Sequence, residues 1–305
     1  MTSLRTGIAW LCASSALMAL SACSQTSSAD SPANAATTLT APVNETPPPA
    51  TDTATTAPPA TEAPTTEAPT TTEAPTTTAA PTTTVPPNLI VVWPAPAPIV
   101  AVGKSNGPDT AALQDRLTVL GFWNGFSDGQ YGFATLQAVM AFQKYIGLPS
   151  TGKVDDTTAQ YLTAYGDKAH GTADSGTLVE VDKAKQLLFI VVDGQTAWTF
   201  NTSTGSGIPY TATNKNDPTK TETGDAVTPS GLWKVTRERA EGWWEGDLGK
   251  IYRPKYFHGG IAIHGMTSVP NYPASHGCVR LSTQAMDFVW DSGLVPVGTP
   301  VWVHE

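Results

Sequence analysis

Ser275-His276-Gly277-Cys278-Val279-Arg280-Leu281, preceded by His264-Gly265, is the stretch on which the reading of this chain turns. It sets a thiol close to two imidazoles, with a glycine beside the thiol and a guanidinium two residues beyond it. A cysteine nucleophile needs a neighbouring base or cation to become a thiolate at neutral pH. The glycine lets a carbonyl approach the main chain closely enough for backbone N–H groups to hold an oxyanion. Ile261 and Ile263 alternate as in a strand, and that strand delivers His264.

Strand patterns continue on both sides. Residues 187–193 and 195–201 flank Asp193-Gly194, a two-residue hairpin signal. Thr228-Pro229-Ser230-Gly231 reads as a turn feeding a strand over 232–237, and 301–303 reads as a last strand. Ser282 is placed to cap a helix that shows Met286, Val289 and Trp290 on one face and stops at Gly293. Residues 177–305 are therefore expected to form a mostly-β, sandwich-like domain of two packed sheets with a helix.

Residues 104–166 carry helical spacing instead. Leu113, Leu117 and Leu120 mark one helix, with Asp109 as its expected cap and Gly121 as its stop. Val139, Phe142 and Ile146 mark a second that ends at Gly147; Val154 and Leu162 mark a third. A quasi-repeat is visible, Asp128-Gly129-Gln130-Tyr131-Gly132 leading into one helix and Thr151-Gly152-Lys153-Val154-Asp155 into the next. By spacing alone this is a small amphipathic bundle of three helices, so the chain is multidomain.

The N-terminus reads as an export signal: Arg5 followed by an apolar stretch over 8–20, too short for a stable membrane span. Leu20-Ser21-Ala22-Cys23 resembles the lipobox of bacterial lipoproteins. That resemblance implies removal of residues 1–22, a lipid on Cys23, and an extracytoplasmic, membrane-anchored, wall-associated protein; a cleaved, unlipidated signal peptide is the alternative. Of the three cysteines, Cys12 would leave with the leader and Cys23 would be capped, so Cys278 would be the free thiol. From Cys23 to residue 103 the chain is a linker rich in Thr, Pro and Ala, with Glu-Ala-Pro-Thr-Thr starting at 62, 67 and 73. Such a segment buries too little apolar surface to order itself, and reaches roughly 250 Å fully extended or about 50 Å as a relaxed coil. The apolar patch at 89–93 is expected as a strand docking on the folded part. Net charge is −9, of which residues 24–103 contribute six acids and no Lys or Arg. The remainder is only mildly acidic, so nucleic acid is not an expected partner.

Residues 104–166 resemble the three-helix peptidoglycan-binding domain over their whole length, through Leu113-Gln114, Leu120-Gly121-Phe122, Thr135, Ala138-Val139 and Phe142-Gln143. Residues 177–305 resemble the L,D-transpeptidase (YkuD) catalytic domain, through Thr228-Pro229-x-Gly231, His264-Gly265 and the stretch from Ser275 to Leu281. The resemblance implies that Cys278 is the nucleophile and His264 the general base. It implies further that the Gly265 carbonyl or Ser275 orients His264, and that N–H groups around Gly277 and Cys278 hold the oxyanion. His276 would support the site or contact substrate. Arg280 keeps two readings: lowering the thiol pKa or binding a stem-peptide carboxylate, against a structural ion pair. The implied reaction is 3→3 cross-linking of peptidoglycan stem peptides through a Cys278 thioester, with no cofactor, on a protein open to acylation by carbapenems. L,D-carboxypeptidase trimming of tetrapeptide stems and a non-catalytic wall-binding lipoprotein are the alternatives.

A zinc site on His264, His276 and Cys278 is the rival chemistry, weakened by the lack of a nearby acid in sequence. Tyr256 and His258 are open between lining a cleft and packing, and Trp243-Trp244 is a candidate lid. Most tryptophans are expected in the core, and His170 and His304 as ordinary surface residues. Oligomeric state is not legible at this level.

Overall fold

The structure is a computed structural model that describes residues 87–305. The expected leader, the lipidation site Cys23 and the repeats at 62, 67 and 73 lie outside the described residues. Among the described residues no helix is long and apolar enough to cross a membrane.

Three helices come first: α1 (Pro108–Val119), α2 (Phe133–Tyr145) and α3 (Asp156–Ala164). Asp109 does not cap α1; Gly107 does, without a side-chain bond, and Pro108 starts the helix, where a missing N–H costs nothing. Asp109 lies in the first turn, where a carboxylate suits the helix dipole. Val154 precedes α3, bridged to Gly103 and fully buried, while Asp155 caps α3 by accepting from Thr158 N–H at 2.8 Å. The quasi-repeat now has a physical cause. Buried Gln114 accepts the Gly129 N–H at 2.8 Å, and buried Gln143 accepts the Gly152 N–H at 2.9 Å. Each helix thus fixes the glycine turn that leads into the next.

Residues 87–103, read as linker from composition, are hydrogen-bonded to this bundle. Val92 N–H donates to the Gly166 carbonyl at 2.8 Å, and Arg116 Nη1 to the Trp93 carbonyl at 2.8 Å. The patch at 89–93 makes only an isolated bridge, Val91 with Asp167, not a strand.

One sheet contains β1 (Leu178–Asp182), β2 (Leu187–Val192), β3 (Gln195–Asn201), β6 (Gly231–Lys234) and β12 (Pro300–His304), in the order β3-β2-β1-β12-β6. The β2–β3 turn at Asp193-Gly194 has φ of 50° and 79°, the double left-handed geometry that makes Asp-Gly the favoured pair. The second sheet runs β11 (Val279–Ser282), β10 (Ile261–Met266), β9 (Gly249–His258), β7 (Arg237–Glu238), with β8 (Trp243–Gly246) also on β9. A separate hairpin joins β4 (Pro209–Thr213) and β5 (Thr221–Asp225). The expected strand at 232–237 is therefore divided between sheets, β6 ending at Lys234 and β7 starting at Arg237. Helix α4 (Thr283–Asp291) is capped by Ser282, whose Oγ accepts the Ala285 N–H at 3.1 Å. Met286 and Val289 face the core; Trp290 is only half-buried and donates to the Arg253 carbonyl. No tryptophan is fully buried among the described residues, and five of them pack partly against the cores.

Strand β2 is buried on both faces. Leu188 and Ile190 pack between the sheets, and Leu187, Phe189 and Val191 pack against Phe122, Phe142 and Leu162 of the helical module. Full burial of each such side chain contributes roughly 1.5–3 kcal/mol gross. The module and the sheet share one core rather than meeting across a hinge.

Candidate active site

Strands β10 and β11 run parallel, with Ile263 opposite Val279 and His264 opposite Arg280. Cys278 immediately precedes β11, so the two-residue period of a strand puts its side chain, His264 and Arg280 on one face. All three line a single pocket of about 560 Å³.

His264 is 2% exposed, and its Nδ1 lies 3.0 Å from the Gly265 carbonyl. A carbonyl only accepts, so Nδ1 carries the proton and Nε2 keeps its lone pair. Burial pulls the His264 pKa down to about 4, against the Gly265 bond that raises it. The imidazole is therefore neutral at rest. Burial also pushes the Cys278 thiol up, outweighing a backbone hydrogen bond from Ala262 and the nearby Arg280 charge, which pull it down. This reverses the expectation from sequence: the cation beside the thiol is present, but loss of hydration is the larger effect.

The turn carrying Cys278 is held from both ends. Ser275 Oγ donates to the Cys278 carbonyl and accepts the Gly277 N–H at 3.0 Å. The Gly277 N–H, expected to help hold an oxyanion, is thus already engaged, whereas the Cys278 N–H makes no hydrogen bond among the described residues. Between the two candidates for orienting His264, the structure places the Gly265 carbonyl there and gives Ser275 to the turn. Thr228 Oγ1, from the quoted Thr-Pro-x-Gly motif, donates to the Gly277 carbonyl at 2.7 Å and accepts the Gly205 N–H at 2.9 Å. Gly277 itself has φ of 134°, and a Cβ there would lie 2.9 Å from the Val227 carbonyl oxygen. Only glycine fits.

Two hairpins wall the pocket. Asn216, beyond β4, donates to Asp247 Oδ1 at 2.9 Å, and Lys215 N–H to the Asp247 carbonyl at 2.8 Å, so the β4–β5 and β8–β9 hairpin tips are clasped together. The lining carries both signs of charge, with Glu222, Glu245 and Asp247 as well as Arg237, Lys250 and Arg280. Trp243-Trp244 belongs to β8 rather than to a free lid; Trp244 lines the pocket with Arg239 stacked 3.6 Å over its ring. Tyr256 lines the pocket, while His258 lies tilted against Trp233, ring centroids 4.1 Å apart, outside it. His276 is exposed at the pocket edge, edge-on to Tyr210 at 4.6 Å.

Arg280 forms no ion pair among the described residues; its Nε is buried without a partner and its backbone is held by the 202–203 segment. His264, His276 and Cys278 do not converge as a metal donor set, and no other group of three His, Cys, Asp or Glu does among the described residues. His304 is not an ordinary surface residue. Its Nε2 lies 2.8 Å from Oε1 of fully buried Glu180, whose carboxylate also accepts the Thr172 and Ala173 N–H groups. Burial lowers the His304 pKa, but the Glu305 carbonyl and the Glu180 carboxylate together hold it above the ordinary histidine value. No local pattern in sequence could pair residues 124 positions apart.

Comparison with known proteins matches both folded segments of the chain. The family model of the L,D-transpeptidase catalytic domain matches residues 176–303, and that of the peptidoglycan binding domain matches residues 106–176. The crystal structure of an L,D-transpeptidase from Xylanimonas cellulosilytica is 43% identical with a TM-score of 0.60, covering 68% of this chain and 99% of that one. The chain belongs to the L,D-transpeptidase family. Among curated proteins, the spore cortex-lytic enzyme of Bacillus cereus is 37% identical over 73 residues, 24% of this chain and 28% of that protein. The N-acetylmuramoyl-L-alanine amidase CwlM of Mycobacterium tuberculosis is 37% identical over 65 residues, 21% of this chain and 16% of that protein. Less than a third of either curated relative is covered.

Proposed function

We propose that the protein is a peptidoglycan L,D-transpeptidase that forms 3→3 cross-links through a Cys278 thioester. The observation that carries this reading is the convergence of Cys278 and a neutral, tautomer-fixed His264 on one pocket. His264 Nε2 takes the thiol proton as Sγ attacks the carbonyl of the third stem residue. A resting neutral pair fits such a coupled transfer better than a preformed ion pair, because each group is burial-shifted toward its uncharged form. The Cys278 N–H is the donor for the developing oxyanion. The tetrahedral adduct collapses, D-alanine leaves with the proton from His264, and a thioester remains. A side-chain amine of a second stem then attacks, giving up its proton to His264, and the thiol is restored. Stem peptides carry both carboxylates and amines, which suits a pocket whose walls carry both signs. Arg280 is the candidate partner for a stem carboxylate, since it lines the pocket and its Nε is buried without a partner among the described residues.

The helical module is assigned to the wall and Cys23 to a lipid anchor, which together place the protein outside the cytoplasmic membrane. Mass spectrometry of muropeptides after incubation of tetrapeptide stems with purified protein tests the reaction. Dimers joined through position three of both stems are expected, and none from Cys278→Ala. D-alanine release without dimers would make the protein an L,D-carboxypeptidase. Cross-links from position four, or full turnover by Cys278→Ala, would end the proposal.

A further inference from the structure

Residues 267–274 connect β10, which carries His264, to the turn that carries Cys278. The β domain grips this connection on one side. Ser203 Oγ donates to the Tyr272 carbonyl at 2.8 Å, and the Ala274 and Ser275 N–H groups donate to the Thr204 carbonyl at 3.0 and 2.9 Å. The helical module grips it on the other. Gln137 of α2, 6% exposed, donates Nε2 to the Val269 carbonyl at 3.1 Å and accepts Asn201 Nδ2 at 2.6 Å. At the outer edge of the loop, Asn271 Nδ2 donates to the Ser150 carbonyl at 2.8 Å.

Asn201 opens the same short segment that holds the other end of the site. Its neighbour Thr202 donates Oγ1 to the Arg280 carbonyl at 2.8 Å, and the Ser203 carbonyl accepts the Arg280 N–H at 3.1 Å. One buried amide of the helical module therefore ties down the chain before Cys278 and the segment that fixes the chain after it. A module whose task is only to hold the wall needs no such bond, and apolar packing against β2 would suffice to dock it.

We propose that Gln137 is a positioning residue for acyl transfer: through Val269 and Asn201, helix α2 sets the 267–277 loop and hence the placement of Cys278 against His264. The proposal rests on the reading of Cys278 as nucleophile. Misplacing a reacting group by about 1 Å costs on the order of 100-fold in rate, so a loop freed on one side loses turnover before it loses its fold. The helical module is then part of the catalytic architecture, and residues 177–305 without it lack a support that the site uses.

The test uses the full chain. Gln137→Leu removes both hydrogen bonds at similar volume, and Leu162→Ala hollows the same module away from the loop. Each is read for kcat and KM on tetrapeptide stems, for Tm, and for the pH profile of Cys278 alkylation by iodoacetamide, located by peptide mass spectrometry. Gln137→Leu is expected to lower kcat by about ten-fold or more, with KM changed by less than about three-fold. Its alkylation midpoint shifts, because the loosened turn moves the sulfur relative to the Ala262 N–H and the Arg280 charge that bear on it. Leu162→Ala loses a comparable Tm yet keeps kcat within about two-fold and its midpoint in place. A Gln137→Leu protein with kcat and midpoint like wild type overturns the proposal, and so does an equal loss in Leu162→Ala. Should Gln137→Leu not fold, exposed Asn271→Ala serves: a kcat loss of about three-fold at unchanged Tm supports the brace, and no loss overturns it. Cys278→Ala separates the two failures. If it turns over, the nucleophile reading falls; if it is dead while Gln137→Leu is normal, only the brace falls.

Discussion

Thr228→Val tests how the turn bearing Cys278 is held. The Thr228 hydroxyl, on a residue 2% exposed, satisfies both the Gly277 carbonyl at 2.7 Å and the Gly205 N–H at 2.9 Å. Valine keeps the shape and removes both bonds. A buried backbone group left without a partner costs about 1–3 kcal/mol, so two of them cost about 2–6 kcal/mol, with partial relaxation favouring the lower half. At a urea slope of about 2–3 kcal/mol/M for a domain of this size, a loss of about 3 kcal/mol moves the unfolding midpoint down by about 1–1.5 M. Turnover falls as well, because the Gly277 peptide, in a φ 134° conformation that only glycine adopts readily, moves once its carbonyl is released. Urea titrations followed by tryptophan fluorescence, with Thr228→Ser as the variant that keeps the hydroxyl, measure the effect. A midpoint shift below about 0.3 M for valine, or an equal loss for serine, would refute the account.

His264 is held neutral to about pH 4, so the folded protein binds fewer protons there than the unfolded chain between pH 4 and 6.5. This contribution is complete above pH 6.5 and is lost as pH falls through 4, about 3 kcal/mol in all; His264→Gln should lack it, and parallel acid-unfolding curves for the two proteins would count against burial as the cause. Cys278→Ala, His264→Ala and the double variant should be almost equally inactive on tetrapeptide stems, since effects within one catalytic unit do not add, whereas His276→Ala should retain more activity than His264→Ala. Additive losses would separate the pair. Cys23→Ser should release the protein from the membrane fraction with activity intact; wild-type protein that fractionates as soluble, with no lipid mass on its N-terminal peptide, would favour ordinary secretion.

The local vocabulary of the site was legible in the sequence by itself. A His-Gly at a strand end, a glycine next to a cysteine and a turn motif upstream are short-range patterns, and backbone geometry ties their meaning to immediate neighbours. The same holds for the Asp193-Gly194 turn and for the Ser282 cap, each determined by a few φ, ψ and hydrogen-bond choices within four residues. Tertiary structure decided everything that depends on what lies across the molecule. The thiol shifts up rather than down because loss of hydration within the pocket outweighs the adjacent cation. Ser275 serves the turn rather than the base, and Thr228 acquires a role, because Cys278, Gly277 and Gly205 converge from distant positions. Asp109 yields its cap to Gly107, and a continuous strand at 232–237 breaks in two because the chain changes sheets there. The joining of the helical module to the loop before Cys278 is invisible in sequence for the same reason. The Gln137 bond to Val269 spans 132 positions, and no periodicity or motif encodes a contact whose partners meet only after the sheet has folded between them.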